Sequence, residues 1–113
     1  MNPRNIFLYD KIPAESETEL FETLCRDKNI KIERIISNGQ AMPKGEWYNQ
    51  GLNEWVMVIQ GKATLELENN EKINLSKGDY LLIPAQLKHR VTYTSKNPVC
   101  IWLAIHFTNN PKN

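Results

Sequence analysis

The chain has 113 residues, 41% of them hydrophobic and 24% charged, with a formal net charge of +1, which is the make-up of one ordinary globular domain long enough to bury a real core. Nothing in it forms the basic face that nucleic acid requires or a charge run suited to a membrane surface, and no apolar run approaches the roughly 18–20 residues that span a bilayer. The opening stretch MNPRNIFLYDKIPAE carries acidic residues and no long apolar core, so it does not read as a signal peptide, and a cytoplasmic location is expected.

From the N-terminus, NIFLYDKIP (residues 5–13) has the make-up of an edge strand that tethers the chain end. Ser16 followed three residues later by Glu19 has the form of a capping box. Leu20, Phe21 and Leu24 then fall on one helical face, which predicts a short amphipathic helix over about 16–26. Such a helix is too short to stand alone and must lie on something larger. The remainder reads as β. IKIERIIS (30–37) alternates, with Ile30, Ile32, Arg34 and Ile36 on one face. EWVMVIQG (54–61) is apolar on both faces, as in a strand covered on both sides. KATLELE (62–68) points Ala63, Leu65 and Leu67 one way and Thr64, Glu66 and Glu68 the other. ENNEK turns the chain, and INLS returns as a hairpin partner. KGDYLLIPA gives a turn, a short strand and a stop at Pro84, which cannot donate to a ladder. HRVTYTS (89–95) alternates again, KNP turns, and VCIWLAIHF (99–107) is a last strand, apolar on both faces. TNNPKN is a polar tail expected to fray.

One short helix before about seven or eight strands separated by turn residues predicts an all-β sandwich or barrel. The expected division is an N-terminal strand and helix over 1–28, a barrel over 29–108 and a tail over 109–113. Cys25 and Cys100 stand in no CxxC pattern. Two buried, reduced thiols is the simplest reading, with a disulfide or a reactive cysteine as the alternatives.

Glu54 and His89 are the informative residues. Glu54 opens a strand whose same-face partners, Val56 and Val58, should point inward, and His89 shares a face with Val91 and Tyr93. A carboxylate facing an apolar interior is costly unless it is paired or bound to a metal. Glu54 has candidate partners in His89, Tyr48, Gln50 and Arg90. A carboxylate–imidazole pair there would titrate as a unit, and it can serve acid–base chemistry, orient a polar ligand or be purely structural. Lys88 and Arg90 have the opposite parity and should face solvent. Trp47, Tyr48 and Trp55 could wall a small-molecule pocket, whereas Trp55, Met57 and Ile59 should face away from the barrel axis, toward core or a second subunit. No G-x-S-x-G, HExxH, P-loop or GxGxxG motif occurs.

Two stretches resemble the paired motifs of the cupin superfamily. Glu54 to Gly61 matches the second half of the first motif, which runs from a histidine pair through Glu to Gly. Gly78, Pro84 and His89 match the second motif, with Gln86 standing for its inner Gly and Tyr93 for its Asn. The likeness covers roughly residues 30–107 and implies a double-stranded β-helix (jelly-roll) cupin barrel, here with a short N-terminal α-helix, and a homodimer. It also implies one divalent ion (iron, manganese, zinc or nickel) held by the histidine pair, the Glu and the second-motif His. In this chain Glu54 and His89 remain, while the pair falls on Trp47 and Asn49 or on Tyr48 and Gln50. Trp cannot ligate, and amide or phenol oxygens are weaker donors than imidazole. His106 shares parity with Trp102 and Ala104 and could supply a further ligand, although a core or edge histidine donating to a backbone carbonyl is the simpler reading.

The sequence therefore reads as a barrel that binds a small molecule at a degenerate metal site lined by Tyr48, Gln50, Glu54, His89 and Tyr93. The metal candidates are Glu54 and His89 with Gln50, Asn49 or His106. The alternatives are a metal-dependent enzyme of dioxygenase, isomerase or lyase type, and an interaction scaffold without a ligand.

Overall fold

The computed structural model describes residues 1–108, and the tail expected over 109–113 lies outside them. Eight strands form: β1 (Leu20–Asp27), β2 (Ile30–Ser37), β3 (Asn53–Gln60), β4 (Lys62–Leu67), β5 (Lys72–Ser76), β6 (Tyr80–Ile83), β7 (His89–Thr94) and β8 (Cys100–Phe107). They pair antiparallel in two sheets, of order β1-β2-β8-β3-β6 and β5-β4-β7. The apolar sides of β3, β4, β7 and β8 meet between the sheets, where Val56, Val58, Ala63, Leu65, Val91 and Trp102 are buried. β3 and β8 are central in the larger sheet, which is why both read as apolar on both faces. On the outer side of that sheet Ile36, Ile59, Val99 and Ile101 form a second buried cluster, covered by Ile6, Tyr9, Leu20 and Met57. Met57 and Ile59 thus face away from the barrel axis, and Trp55 meets Tyr80 on the same side at 5.3 Å between ring centroids.

The helix expected over 16–26 does not form. Residues 20–27 are β1, laddered on β2 from Leu20 opposite Ile36 to Asp27 opposite Ile30. A helix of that length gains few internal hydrogen bonds, whereas the open edge of β2 offers a full ladder to Phe21, Thr23 and Cys25, which suit a strand. The ladder also sets Glu22 opposite Arg34, whose Nε and Nη2 donate to Glu22 Oε1 at 2.9 and 2.8 Å. The capping-box residues serve elsewhere. Glu19 accepts a hydrogen bond from Ser37 Oγ, and the local turn is closed by Ala14 N donating to Glu17 Oε1 at 2.8 Å.

The edge strand expected over 5–13 is absent as well. That segment is held by side chain instead, since Arg34 Nη1 donates to the carbonyls of Ile6 and Leu8, each at 2.9 Å. Both cysteines are free, but only Cys100 is buried. Cys25 is exposed because it sits on an edge strand rather than on the apolar face of a helix. Burial, with the Glu19 charge second, pushes the Cys100 thiol up to about 12.

Gly61 joins β3 to β4 at φ 82°. A Cβ there would stand 2.5 Å from Ser95 Oγ and 2.9 Å from the Val99 carbonyl oxygen. Gly78 also has positive φ, 90°, but nothing lies within 4 Å of its would-be Cβ. Strain alone is worth about 1–2 kcal/mol at such a position, so Gly78→Ala is expected to cost that much. Gly61→Ala adds a clash and is expected to cost about 2–4 kcal/mol. Urea unfolding of the two variants separates these contributions.

Candidate functional site

Between the two sheets lies a cavity of about 600 Å³. Its walls are the buried side chains of Ile35, Val56, Leu65, Ile83, Val91 and Trp102. Two loops are stitched together at its rim. Tyr48 and His89 exchange backbone hydrogen bonds at 2.7 and 3.1 Å, and Gln86 N donates to the Gln50 carbonyl at 2.9 Å. Ala85 N donates to Asn53 Oδ1 at 2.9 Å. Gln86 adopts a positive φ of 70°, at the place where the second motif has glycine. This stitching carries Tyr48 and Gln50 onto the cavity wall beside Glu54 and His89. The first-motif register left open by the sequence is therefore the one in which Tyr48 and Gln50 take the places of the histidine pair.

Glu54 Oε1 is the centre of the group. Gln50 Nε2 donates to it at 2.8 Å, and His89 Nε2 faces it at 3.5 Å. His89 Nδ1 lies 3.0 Å from the Leu87 carbonyl, which can only accept, so Nδ1 carries a proton. The Tyr48 ring leans on the imidazole at 5.5 Å between centroids. Burial is the largest single influence on Glu54 and would raise its pKa. The His89 hydrogen bond, the charges of His106 and His89 and the Gln50 hydrogen bond outweigh it, and the net shift is below the usual 4.5. Burial likewise disfavours the His89 imidazolium, but the Glu54 hydrogen bond, the Leu87 carbonyl and the Glu54 charge outweigh it, and the net shift is above 6.5. Burial, and then the charges of Glu19, Glu54 and Glu33, raise the Tyr48 phenol above 10.0.

The other expected residues fall in different places. His106 lines the cavity, but it does not donate to a backbone carbonyl. Its Nε2 lies 2.9 Å from Glu33 Oε1, because β8 pairs with β2 and both side chains take the inner face. Glu33 and its second partner, Lys31 at 3.1 Å, are additions that sequence reasoning missed. The signal was present in IKIERIIS, where the polar residues between the isoleucines form the cavity face of β2, while Arg34 and Ile36 face outward. Tyr93 does not join the site. β7 carries a bulge between its pairings with Thr64 and Leu65, and the extra residue turns Tyr93 outward, where it is 50% exposed. Asn49 is exposed and is not part of the cavity wall. Trp47 lies under the Arg90 guanidinium at 5.6 Å, and Arg90 pairs with Glu66 at 3.1 Å rather than with Glu54.

A family profile described as Cupin domain matches residues 35–106. The chain belongs to the cupin family. A crystal structure from Ralstonia eutropha JMP134, a provisionally named mannose-6-phosphate isomerase, matches this cupin with a TM-score of 0.86 and 40% identity, over 96% of this chain and 99% of that one. The uncharacterised protein MJ0764 of Methanocaldococcus jannaschii is 28% identical over 75 residues, 66% of this chain and 62% of its own length. The MJ0764 crystal structure, described as RmlC-like with a double-stranded β-helix fold, matches with a TM-score of 0.67 and 19% identity, over 93% of this chain and 94% of that one. The sequence-derived fold therefore stands, apart from its helix.

Cupins often hold a metal, and the donors of this cupin fit one poorly. Of the four motif positions only Glu54 and His89 carry strong donors, and Glu54 Oε1 already accepts from the Gln50 amide. His106 Nε2 is taken up by Glu33. Among the described residues no group of three or more His, Cys, Asp or Glu side chains is disposed to hold an ion. Two strong ligands seldom retain zinc against competition.

Two outcomes follow. In Tyr48→His/Gln50→His both missing imidazoles return in register, and that variant is expected to retain about one zinc or nickel per chain after dialysis, read by elemental mass spectrometry. The second concerns pH. The raised His89 pKa makes its stabilisation complete below 6.5 and lost as pH rises through the folded-state value. The lowered Glu54 pKa makes its stabilisation present above 4.5 and lost as pH falls through the folded-state value. The difference in unfolding free energy between wild type and His89→Gln should therefore be largest between pH 4.5 and 6.5 and shrink as pH rises through the folded-state value of His89, in urea titrations.

Proposed function

We propose that this cupin binds a small polar molecule in the barrel cavity through Glu54 and His89, with Gln50 and Tyr48 as flanking contacts, and without a resident metal. The observation that carries this reading is Glu54 Oε1 held between Gln50 Nε2 and His89 Nε2 on the wall of a cavity of about 600 Å³. That size suits a small ligand, and the group offers a carboxylate acceptor and, when His89 is protonated, an N–H at Nε2. A second reading is isomerisation by proton transfer at the same pair. It is supported by the 40% identical neighbour's provisional name and by an imidazole that faces a carboxylate at 3.5 Å on the cavity wall. A homodimer in the cytoplasm completes the proposal. The half-buried Trp55 and Met57 beside Tyr80, 64% exposed, and Leu82, 53% exposed, supply an apolar outer face for a second copy.

The test is a thermal-shift screen of sugars, sugar phosphates and small organic acids on the full chain. Elemental mass spectrometry of untagged protein runs beside it, with the expectation of well under one metal per chain. Hits should raise the wild-type melting temperature and lose their effect in Glu54→Gln and in His89→Gln. Hits that act equally on Glu54→Met/His89→Leu would sink the reading. Incubation of mannose 6-phosphate with the protein, followed by NMR, tests the isomerase reading through the appearance of an isomer.

A further inference from the structure

One rung of the larger sheet carries an unusual row of charges. Arg26 of β1 stands opposite Lys31 of β2, Lys31 opposite His106 of β8, and His106 opposite Glu54 of β3. All four line the cavity. The β1 bulge between Thr23 and Cys25 is what brings Arg26 onto this face. Three basic side chains thus lie abreast on neighbouring strands, about 5 Å apart at Cβ, an arrangement in which like charges repel.

Buried Glu33 answers two of them. Glu33 is 6% exposed and takes Lys31 on Oε2 at 3.1 Å and His106 on Oε1 at 2.9 Å. Arg26 has no ion-pair partner among the described residues. Asp27, its neighbour, has Oδ1 engaged by the Lys28 backbone N–H at 2.7 Å. Lys28 adds a further cation at the mouth. The remaining cavity carboxylate, Glu19, precedes the other end of β1 and is bonded to Ser37.

We propose that Arg26, Lys31 and His106 form a subsite for an anionic group, carboxylate or phosphate, on the molecule whose polar end reaches Glu54 and His89. This deepens the proposed function and rests on it for the second half of the ligand. The Arg26 guanidinium can grip two oxygens of one anion, Lys31 supplies a point charge, and Glu33 positions Lys31 and His106. Register fixes the ligand's dimensions. His106, Lys31 and Arg26 lie one, two and three strands from Glu54, so a ligand that reaches both ends carries its anion away from the group at Glu54, as a hydroxy acid or a phosphorylated sugar does and a neutral polyol or an amine does not.

The experiment is an NMR titration of the full chain with inorganic phosphate, with acetate, and with glucose 6-phosphate against glucose. Phosphate or acetate should shift Arg26, Lys31 and His106 signals saturably, and the phosphorylated hexose should bind at least about tenfold tighter than the hexose. Arg26→Gln and Lys31→Gln should each weaken the anion about tenfold, while Lys72→Gln on β5 should not. Arg26 is exposed on an edge strand, so its variant keeps the test alive if Lys31→Gln fails to fold. Equal binding of glucose and its phosphate, shifts spread evenly over surface lysines, or no saturation by either anion would overturn the subsite. Glu54→Gln separates the two proposals. If phosphate binding survives in it while the hexose end loses its grip, both stand. If neither wild type nor variant binds anything at Glu54 and phosphate still binds, the Glu54–His89 reading alone fails.

Discussion

Glu54 is a carboxylate held 9% exposed between two sheets, and the surrounding structure is arranged around keeping it charged there. An ion taken this far from water needs compensation from every side. The compensation arrives from separate parts of the chain: the Gln50 amide from the loop before β3, the His89 imidazole from the opposite sheet, and the charge of His106 from the neighbouring strand. The loop reaches Glu54 because Tyr48 pairs with His89 through the backbone and Gln86 N donates to the Gln50 carbonyl. His89 thus faces the carboxylate with its side chain and, through its backbone, ties the two sheets together at the mouth. The amide standing where a ligand imidazole would be satisfies the carboxylate oxygen in the way a cation otherwise would.

Much of this was legible in the residues. Alternation in KATLELE and the doubly apolar runs EWVMVIQG and VCIWLAIHF place their strands correctly, because strands buried on one or both faces leave period-2 or continuous signals. Glu54 and His89 stand out as polar groups on inward-facing positions, and they do meet. The register at the first motif was not legible. Neighbouring residues of one short loop differ only in which of them a distant strand engages, and the bridge from Tyr48 to His89 decides it.

The misreadings share one cause, which is that a local pattern was read without the strand or segment that partners it. Leu20, Phe21 and Leu24 satisfy helical spacing, but β2 competes for the same backbone with a whole ladder, and Arg34 draws Glu22 into it. In IKIERIIS the isoleucines suggest the buried side. The cavity, however, sits on the side of Lys31 and Glu33, while the N-terminal segment, carried across by Arg34, helps to cover the other. A polar strand face reads as solvent-facing whether it meets bulk water or lines a pocket, and periodicity cannot tell the two apart.

The β7 bulge has a consequence for chain length. Thr92 is the residue without an opposite number: Val91 pairs with Leu65, Tyr93 with Thr64 and Thr94 with Ala63. Removing one residue from a strand ordinarily sends every later side chain to the wrong face. Removing Thr92 would instead leave a regular ladder with Val91 and Thr94 still inward and Tyr93 still outward. β7 is thus a strand of this barrel that can shorten by one residue without changing what its cavity is made of.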